Sequence, residues 1–398
     1  MRFVIFCHSL VSCWNHGNAH FLRGVVRELQ AQNHSVRVLE PADGWSRANL
    51  LAESSGPDTL DAFARTFPGL KSEPYDLATL DLDEALDGAD VVLVHEWTHP
   101  SLVAAIGAKR AAGGRFRLLF HDTHHRVVSR PEEMQALDLS AYDGVLAFGE
   151  VLRERYLDLG WTGRAWTWHE AADTALFHPL PGQPTEGDLV WVGNWGDDER
   201  TAELHEYLLE PSRRLGLRAR IHGVRYPDHA LSALTSAGIA YGGWLPNHRA
   251  PALFARHRVT VHVPRRPYVE ALPGIPTIRV FEALACGIPL ICAPWHDAEG
   301  LFRPGSDFLI ARDGTAMAEL LRVVLNDRDI AQSLIRSGLD TIRRRHTCAH
   351  RVDELLAVCR ALGAPALKDA ANDDTAGNRT AGNRTAYDIA VPVKEDIA

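Results

Sequence analysis

Short apolar runs alternate with helix-like segments along the first 363 residues. Runs of four to seven residues rich in Val, Ile, Leu and Phe predict buried strands. In the first half these strands are expected at 2–8, 36–39, 90–95, 117–121 and 144–148. Apolar residues spaced three or four apart predict helices at 19–30 and 102–112. Residues 41–75 mix Pro, Gly and Ser, and we expect them to be irregular.

The second half repeats this alternation. Strands are predicted at 188–193, 218–222, 259–263, 290–293 and 308–311. Helices are predicted at 200–215, 228–237, 248–257, 277–286, 314–326, 328–345 and 348–362. Apolar strands that alternate with helices favour parallel sheets covered on both faces. The sequence therefore predicts the α/β class, with two doubly wound units.

The segment HPLPGQPTEG at 178–187 has the Pro and Gly content of a linker. We expect an N-terminal Rossmann-like domain at 1–180, a second domain at 181–345 and a C-terminal helix at 346–363. Residues 364–398 lack apolar periodicity and repeat TAGNR, which predicts a disordered tail. Ligands of such sheets bind beyond the carboxyl ends of the strands, so the predicted site is the cleft between the two domains.

Composition narrows the class of protein. The net charge of −9 disfavours a nucleic-acid binder, and no apolar run is long enough for a transmembrane segment. The six cysteines form no C-x-x-C pair, which fits a reducing, cytoplasmic setting. Residues 183–363 hold 22 cations, all Arg, against 21 acidic residues. Arg favours phosphate contacts, so the second half is the expected phosphate binder, although codon bias would give the same composition.

Four segments carry a family resemblance. The segment FEALACGIP at 281–289 resembles the nucleotide-sugar-binding motif of GT-B glycosyltransferases. The wider segment PTIRVFEALACGIPLI is similar to the spore-maturation (CgeB-type) branch, in which an Arg precedes the Glu by three residues. HEAADTALFHP at 169–179, GLFRPGSDFLIARD at 300–313 and NHGNAHFLRGVVREL at 15–29 resemble further segments of the family, in the same order. The resemblance covers roughly residues 1–360 and implies the GT-B fold, two Rossmann-like domains facing a cleft.

Glu282 is the central donor-binding candidate. It is predicted in the first turn of a helix, where the dipole favours a carboxylate, and we expect it to face the mouth of the cleft. There it would accept hydrogen bonds from a ribose; the alternative is an ordinary acidic residue at a helix start. The resemblance implies that amides near Gly274, Thr277 and Ile278 bind sugar and diphosphate, with Thr277 as a possible helix cap. Many relatives carry a second Glu eight residues before the first, where this chain has Gly274.

Several cations and turns flank that loop. Arg265, Arg266 and Arg279 are candidates for the diphosphate, and Arg265 is the candidate for stabilising the leaving group in place of a metal. Surface salt bridges are the alternative. Further donor-binding candidates follow predicted strands or begin helices: Gly193, Asn194, Arg200 and Trp244. Trp244 offers a face for a base but is equally expected as a packing residue.

Histidines cluster in the first domain. His124 and His125 follow a predicted strand and are the catalytic candidates, because a histidine near its ordinary pKa suits a general base. Polar loop residues are the alternative, and a metal site that includes His121 and Asp122 is a weaker one; we expect no metal. The predicted acceptor site lies at the start of the first helix, at His16, Gly17, Asn18 and His20.

These observations predict a glycosyltransferase. The resemblance implies transfer of a sugar from a UDP-, GDP- or dTDP-sugar to a glycan, lipid or small-molecule acceptor, with retention and with neither a metal nor another cofactor. One alternative is a non-catalytic GT-B-like protein that binds a glycan or a partner. Another is a different enzyme on paired α/β units, such as a sugar-nucleotide epimerase.

Overall fold

A computed structural model of the chain describes residues 1–14, 17–53, 56–196 and 198–365. Residues 1–366 form one compact unit that contains two parallel sheets. We call the part around each sheet the first lobe and the second lobe. The division into domains at residue 180 stays a prediction.

The first lobe is built on seven parallel strands in the order β3-β2-β1-β4-β5-β6-β7. They are β1 (Arg2–Phe6), β2 (Ser35–Pro41), β3 (Glu73–Tyr75), β4 (Val91–His95), β5 (Arg117–Asp122), β6 (Gly144–Ala147) and β7 (Ala165–Thr167). Its helices are α1 (Asn18–Ala31), α2 (Trp45–Ala52), α3 (Gly56–Thr66), α4 (Leu82–Leu86), α5 (Pro100–Ala111), α6 (Arg126–Ser129), α7 (Pro131–Gln135) and α8 (Glu150–Asp158).

The second lobe has six parallel strands in the order β10-β9-β8-β11-β12-β13. They are β8 (Gly187–Val192), β9 (Ala219–His222), β10 (Ala240–Tyr241), β11 (His257–His262), β12 (Leu290–Cys292) and β13 (Leu309–Ile310). Its helices are α9 (Thr201–Leu204), a π-helical turn (His205–Leu209), α10 (Glu210–Leu215), α11 (Asp228–Ser236), a 3₁₀ turn (Asn247–Arg249), α12 (Ala250–Ala255), α13 (Arg266–Glu270), α14 (Ile278–Cys286), α15 (Gly314–Asn326), α16 (Arg328–Arg345) and α17 (Cys348–Ala361).

In each sheet the chain reverses its strand order between the first and fourth strands, β1 and β4 or β8 and β11. Such a reversal opens a crevice at the carboxyl ends of the strands. The central strand β4 is buried at every position, as its continuous apolar run predicts. The predicted α/β class with two doubly wound units is confirmed.

Helix ends follow local chemistry. Asp313 caps α15 and Asp327 caps α16 by accepting hydrogen bonds from backbone amides in the first turn. Helix α14 ends at Gly287, whose φ of 68° lies in the left-handed region that favours glycine.

The last helix joins the second lobe back to the first. Helix α17 packs against α1, and Trp168 of the first lobe donates from its ring nitrogen to the Arg351 carbonyl at 2.7 Å. The predicted helix at the end of the chain is therefore present. The predicted tail lies outside the described residues from residue 366 onward.

One prediction for the first lobe is wrong. Residues 41–75 are not irregular, because they contain α2, α3 and β3. Phe63 and Phe67 become buried and pack on one another. Tertiary burial stabilises a segment whose Pro and Gly content favours turns. Across the described ranges, no helix is both long enough and apolar enough to cross a membrane.

Candidate active site

A cleft of about 690 Å³ lies between the carboxyl ends of the two sheets. Residues that follow strands line it from both lobes, including Trp97 after β4 and Val263 after β11. The structure brings eleven of the predicted site residues to this cleft: Gly17, Asn18, His124, His125, Gly193, Asn194, Arg200, Arg265, Thr277, Ile278 and Arg279. The predicted location of the site agrees with the geometry, while the role of each residue stays a prediction.

The two catalytic candidates lie side by side on the first lobe. The rings of His124 and His125 are 4.1 Å apart, and the edge of His124 faces Trp97 at 5.3 Å. His125 bonds the Ser129 hydroxyl through Nδ1 at 2.9 Å. The Nδ1 of His124 is buried and has no hydrogen-bond partner among the described residues.

The expectation of a histidine near its ordinary pKa is wrong for this pair. Burial lowers the pKa of His125 to about 4, with a smaller opposing effect of Glu199. Burial, together with the nearby charges of His125 and Arg265, lowers the pKa of His124 well below its ordinary value. Both rings are therefore neutral at pH 7, and each can accept a proton only weakly.

A buried carboxyl pair holds the histidine loop. Asp122 accepts hydrogen bonds from the His124 amide at 3.0 Å and from the Tyr156 hydroxyl at 2.8 Å. Glu96 accepts from the Arg126 guanidinium at 3.2 Å, and that guanidinium lies 4.0 Å from the centre of the Trp97 ring. Burial, and then the neighbouring Asp122, raise the pKa of Glu96 well above its ordinary value. The pair therefore carries less charge than two free carboxylates. Its hydrogen bonds hold in place the loop that bears His124 and His125.

Arg200 is a second-lobe arginine that makes its hydrogen bonds to backbone carbonyl groups. Its guanidinium donates to the carbonyls of Val263 at 2.8 Å and Asn194 at 2.6 Å, and it lies 5.0 Å from the Trp191 ring centre. No carboxylate hydrogen-bonds it among the residues that the structure describes. Burial and then Arg265 lower its pKa to about 9, so it stays charged at pH 7. Arg200 therefore brings to the cleft a positive charge whose hydrogen bonds go to carbonyl groups.

Arg265 pairs with a carboxylate of its own lobe that also contacts the first lobe. It donates to Glu199 at 2.8 Å, and the same carboxylate oxygen is 3.6 Å from His125 Nε2 of the first lobe. Glu199 thus connects two of the three catalytic candidates. An anion entering here must compete with Glu199 for Arg265.

The expected placement of Glu282 is wrong. Its side chain is fully buried and does not line the cleft. One carboxylate oxygen accepts from His20 at 2.9 Å and from Asn247 at 2.8 Å, and Arg279 donates to the other. Burial alone would raise the pKa of Glu282, but Arg279, His20 and Asn247 together lower it to about 2. Protein donors therefore fill the positions that we expected ribose hydroxyls to occupy.

His20 is a structural residue rather than part of an open acceptor site. Its Nε2 accepts the Asp173 amide at 2.8 Å, so Nδ1 carries the proton that is donated to Glu282. Its ring stacks on Phe177 at 3.8 Å. His20 therefore joins α1, the segment before β8 and α14 as a neutral side chain. Burial lowers its pKa, despite the opposing effect of Glu282.

Four other expectations need correction. Thr277 does not cap α14 with its side chain, because its hydroxyl bonds His262 at 3.1 Å instead. Gly274, with φ of 93°, packs against Ala298 outside the cleft. Arg266 turns away to pair with Glu203 at 3.0 Å.

Trp244 does not present its ring to the main cleft. It donates to the Trp14 carbonyl of the first lobe at 2.8 Å and lines an adjoining cavity of about 30 Å³. His16 lies outside the described residues. The close neighbour of Gly17 is protein, since a Cβ there would lie 2.7 Å from the Cγ2 atom of Ile278 in the other lobe, and its role in acceptor binding stays a prediction.

Sequence analysis assigned no role to Glu170, yet it lies at the junction of the lobes and lines the cleft. Its carboxyl group accepts from the Asn18 amide at 3.2 Å, and the backbone amide of Ile278 acts on its pKa. Burial raises its pKa to about 8; Asn18, Arg279 and Ile278 oppose this rise and Glu282 adds to it. The only signal in the sequence was its position in the segment HEAAD between the predicted domains.

The weaker metal alternative finds no support. Within the described ranges, no three His, Cys, Asp or Glu side chains are grouped so that they could hold an ion. His121 and Asp122 are both buried, and Asp122 is occupied by Tyr156 and the His124 amide.

Comparisons with known proteins agree with the fold. The family described as Glycosyl transferase-like matches residues 200–357. No curated protein matches the sequence. Sucrose-phosphate synthase from Thermosynechococcus elongatus is 14% identical with a TM-score of 0.64, over 92% of this chain and 99% of that chain.

Two further solved structures are similar. Anabaena Alr3699/HepE in complex with UDP-glucose is 12% identical with a TM-score of 0.62, over 90% of this chain and 100% of that chain. An alpha-glucosyltransferase in complex with UDP and DNA is 11% identical with a TM-score of 0.65, over 90% and 99% of the two chains. These similarities show that the chain has the GT-B fold.

The contact of Gly17 with Ile278 gives a first prediction. Gly17→Ala adds a Cβ against the opposite lobe, and we expect a loss of about 1–3 kcal/mol in the free energy of unfolding. Ile278→Ala removes the opposing methyl group, so the double variant should lose less than the sum of the two single variants. Urea unfolding of the four proteins measures this coupling. Additive losses would contradict the close approach of the lobes.

The burial of Glu282 gives a second prediction. Glu282→Ala leaves Arg279 and Asn247 without their acceptor, and we expect a loss of about 3–5 kcal/mol in unfolding free energy. The matched control is Glu210→Ala, which removes an exposed pair with Arg213 and should have no measurable effect. A stable Glu282→Ala variant that loses only ligand affinity would show that this carboxylate faces the cleft.

The pKa of Glu170 gives a third prediction. In the unfolded chain the group releases its proton near its ordinary pKa of 4.5, whereas in the folded protein it does so near 8. The folded state therefore holds the extra proton between these values, and stability falls as the pH rises through this window. Relative to Glu170→Gln, the wild type should lose up to about 1.4 kcal/mol per pH unit between about pH 4.5 and 8. Urea unfolding across this range tests it, and a constant difference would contradict the raised pKa.

Proposed function

We propose that the chain is a glycosyltransferase that moves a sugar from a nucleotide-sugar to an acceptor hydroxyl. The observation that carries this proposal is Arg200, a half-buried cation on the wall of the cleft that makes its hydrogen bonds to carbonyl groups. A partly desolvated charge gains from an anionic partner, and a diphosphate supplies one. The GT-B fold, the match of residues 200–357 and the nucleotide-bound neighbours support the same conclusion.

The donor would bind mainly to the second lobe. Arg200, Arg265 and Arg279 line this wall, together with the turn at Gly193 and Asn194 after β8. The arginines would stabilise the negative charge that develops on the departing diphosphate, which supports a reaction without a metal ion. Because Glu199 already neutralises part of the charge of Arg265, Arg200 is the stronger anchor.

The acceptor would bind opposite, on the first lobe. His124 and His125 face the cleft and are neutral, so either can accept a hydrogen bond from a hydroxyl group and orient it. Their low pKa values make full proton abstraction by the histidines unfavourable at pH 7. Proximity in a cleft that excludes water would then contribute much of the rate.

The finer assignments are part of the proposal. The segment FEALACGIP and the Arg three residues before its Glu support the spore-maturation (CgeB-type) branch, and with it retention at the anomeric carbon. A glycan, lipid or small-molecule acceptor suits the net charge of −9 better than a nucleic acid, although one neighbour is in complex with DNA. The six cysteines, all within the described ranges, are buried and form no disulfide, which supports a cytoplasmic setting. The donor would be a UDP-, GDP- or dTDP-sugar.

One observation favours the alternative of a non-catalytic binding protein. Three protein donors occupy Glu282, the residue expected to grip the ribose. In that case nucleotide-sugars would bind without turnover, or would not bind at all.

Titration calorimetry with UDP-, GDP- and dTDP-glucose tests the donor site. We expect one nucleotide to bind, and Arg200→Ala to weaken it by about tenfold or more, because a charge-assisted contact is lost. The matched control is Arg256→Ala, which removes a second-lobe arginine that pairs with Glu186 outside the cleft.

A turnover measurement distinguishes a glycosyltransferase from a non-catalytic binding protein. Release of nucleoside diphosphate from the bound donor, unchanged by EDTA, supports a metal-independent transferase. Absence of binding to all three nucleotide-sugars would contradict the proposed function, and binding with no turnover towards any acceptor would favour the binding protein.

A further inference from the structure

Glu170 lies between the first turns of two helices that belong to different lobes. It accepts a hydrogen bond from Asn18, the first residue of α1, and the backbone amide of Ile278, the first residue of α14, is near enough to lower its pKa. The side chain is 5% exposed, yet it lines the cleft. Burying a carboxyl group costs free energy, and packing alone gives no reason to place one at this junction.

Asn18 supplies a second, independent observation. Its side chain is 5% exposed and lines the cleft, and its amide nitrogen is used by Glu170. Its Oδ1 is buried and has no hydrogen-bond partner among the residues that the structure describes. A buried acceptor of this kind is normally satisfied, so a ligand group that donates a hydrogen bond fits here.

The chemistry of the two side chains discriminates between parts of a nucleotide-sugar. Phosphate oxygens at neutral pH are acceptors, so they would leave Asn18 Oδ1 unpaired. A sugar hydroxyl both donates and accepts. It can donate to Asn18 Oδ1 while it accepts from the neutral carboxyl group of Glu170, or donate to that group when it is ionised.

The arginine next to this junction helps to distinguish the part of the cleft that suits a diphosphate from the part that suits a sugar. Arg279 lines the cleft next to Ile278 and is the nearest arginine in sequence to this junction. Arg279 shares its charge with Glu282, so Arg200 supplies the positive charge that suits the diphosphate, whereas the pair of Glu170 and Asn18 presents oxygen atoms. The two parts of the ligand therefore meet different chemistry along one cleft.

We propose that Glu170 and Asn18 form a subsite that binds a hydroxyl group of the sugar carried by the nucleotide and helps to select that sugar. This inference rests on the proposed function, because it requires a nucleotide-sugar in the cleft. It assigns Glu170 a role in recognition of the sugar, and none in recognition of the base.

The test compares each nucleoside diphosphate with its glucose conjugate. Titration calorimetry measures the affinities of UDP and UDP-glucose, or of the GDP or dTDP pair, for the wild type and for Glu170→Ala, Glu170→Gln and Asn18→Ala. We expect Glu170→Ala and Asn18→Ala to weaken the conjugate by about tenfold or more, because a hydrogen bond in a buried site is lost. Glu170→Gln should weaken it less, because its amide still donates and accepts as the neutral carboxyl group does. The affinity for the free diphosphate should change by less than about threefold, since its contacts remain.

Controls separate this role from a structural one. Glu299→Gln is a matched control, because Glu299 bonds His169 beside Glu170 at 2.7 Å but lies outside the cleft. It should leave both affinities unchanged. Thermal unfolding of every variant shows which are folded, and if Glu170→Ala is not, Asn18→Ala carries the test.

The outcomes are distinct. Equal weakening of the diphosphate and its conjugate would overturn the sugar subsite and place these residues at the phosphates or in the scaffold. Unchanged affinity for both would overturn it as well. If the wild type binds the diphosphate but its variants behave in either of these ways, the proposed function survives and the subsite fails. If the wild type binds neither class of ligand, both fail.

A deoxy-sugar series locates the hydroxyl group. For each conjugate that lacks one hydroxyl, the loss of affinity is measured in the wild type and in Glu170→Ala. For one position the loss should be large in the wild type and nearly absent in the variant, because both changes remove the same interaction. Independent losses at every position would contradict a direct contact.

Discussion

The buried junction of His20, Glu282 and Arg279 holds the arrangement of the two lobes. Helix α1, the segment before β8 and helix α14 come from distant parts of the chain, and His20 contacts all three. Asn247 adds a further donor to the same carboxylate. Because the geometry of this junction satisfies every oxygen of Glu282, the helix starts at Asn18 and Ile278 are held close together, and the cleft above them has a defined floor.

The electrostatic character of the cleft depends on which of its charged side chains pair with a group of opposite charge. Arg265 shares its charge with Glu199, and Arg279 with Glu282, whereas the contacts of Arg200 are carbonyl groups. Burial keeps His124 and His125 neutral and raises the pKa of Glu170. The two histidines are therefore uncharged, while Arg126 and Arg130 on their side of the cleft are paired with Glu96 and Glu133. The positive charge without a hydrogen-bonded carboxylate lies at Arg200 on the second lobe, which suits a ligand with an anionic part and a neutral, hydroxyl-rich part.

Much of this could be predicted from the sequence, because it depends on local patterns. Buried strands are continuous apolar runs, and polar residues that follow them must lie at one edge of a parallel sheet, as His124 and Asn194 do. The orientation of single side chains could not be predicted. Glu282 was expected to face the cleft and Glu170 had no assigned role, but His20, a partner of Glu282, lies 262 positions away in the chain. Likewise, Arg266 has a carboxylate partner 63 positions away that turns it from the cleft.

A crystal structure with a bound nucleoside diphosphate tests the central claim most directly. The account predicts the two phosphates within hydrogen-bond distance of the Arg200 guanidinium, on the wall formed by the second lobe, with the open end of the diphosphate directed towards Glu170 and Asn18. A diphosphate bound at another surface, or within the cleft but out of reach of Arg200, would contradict it.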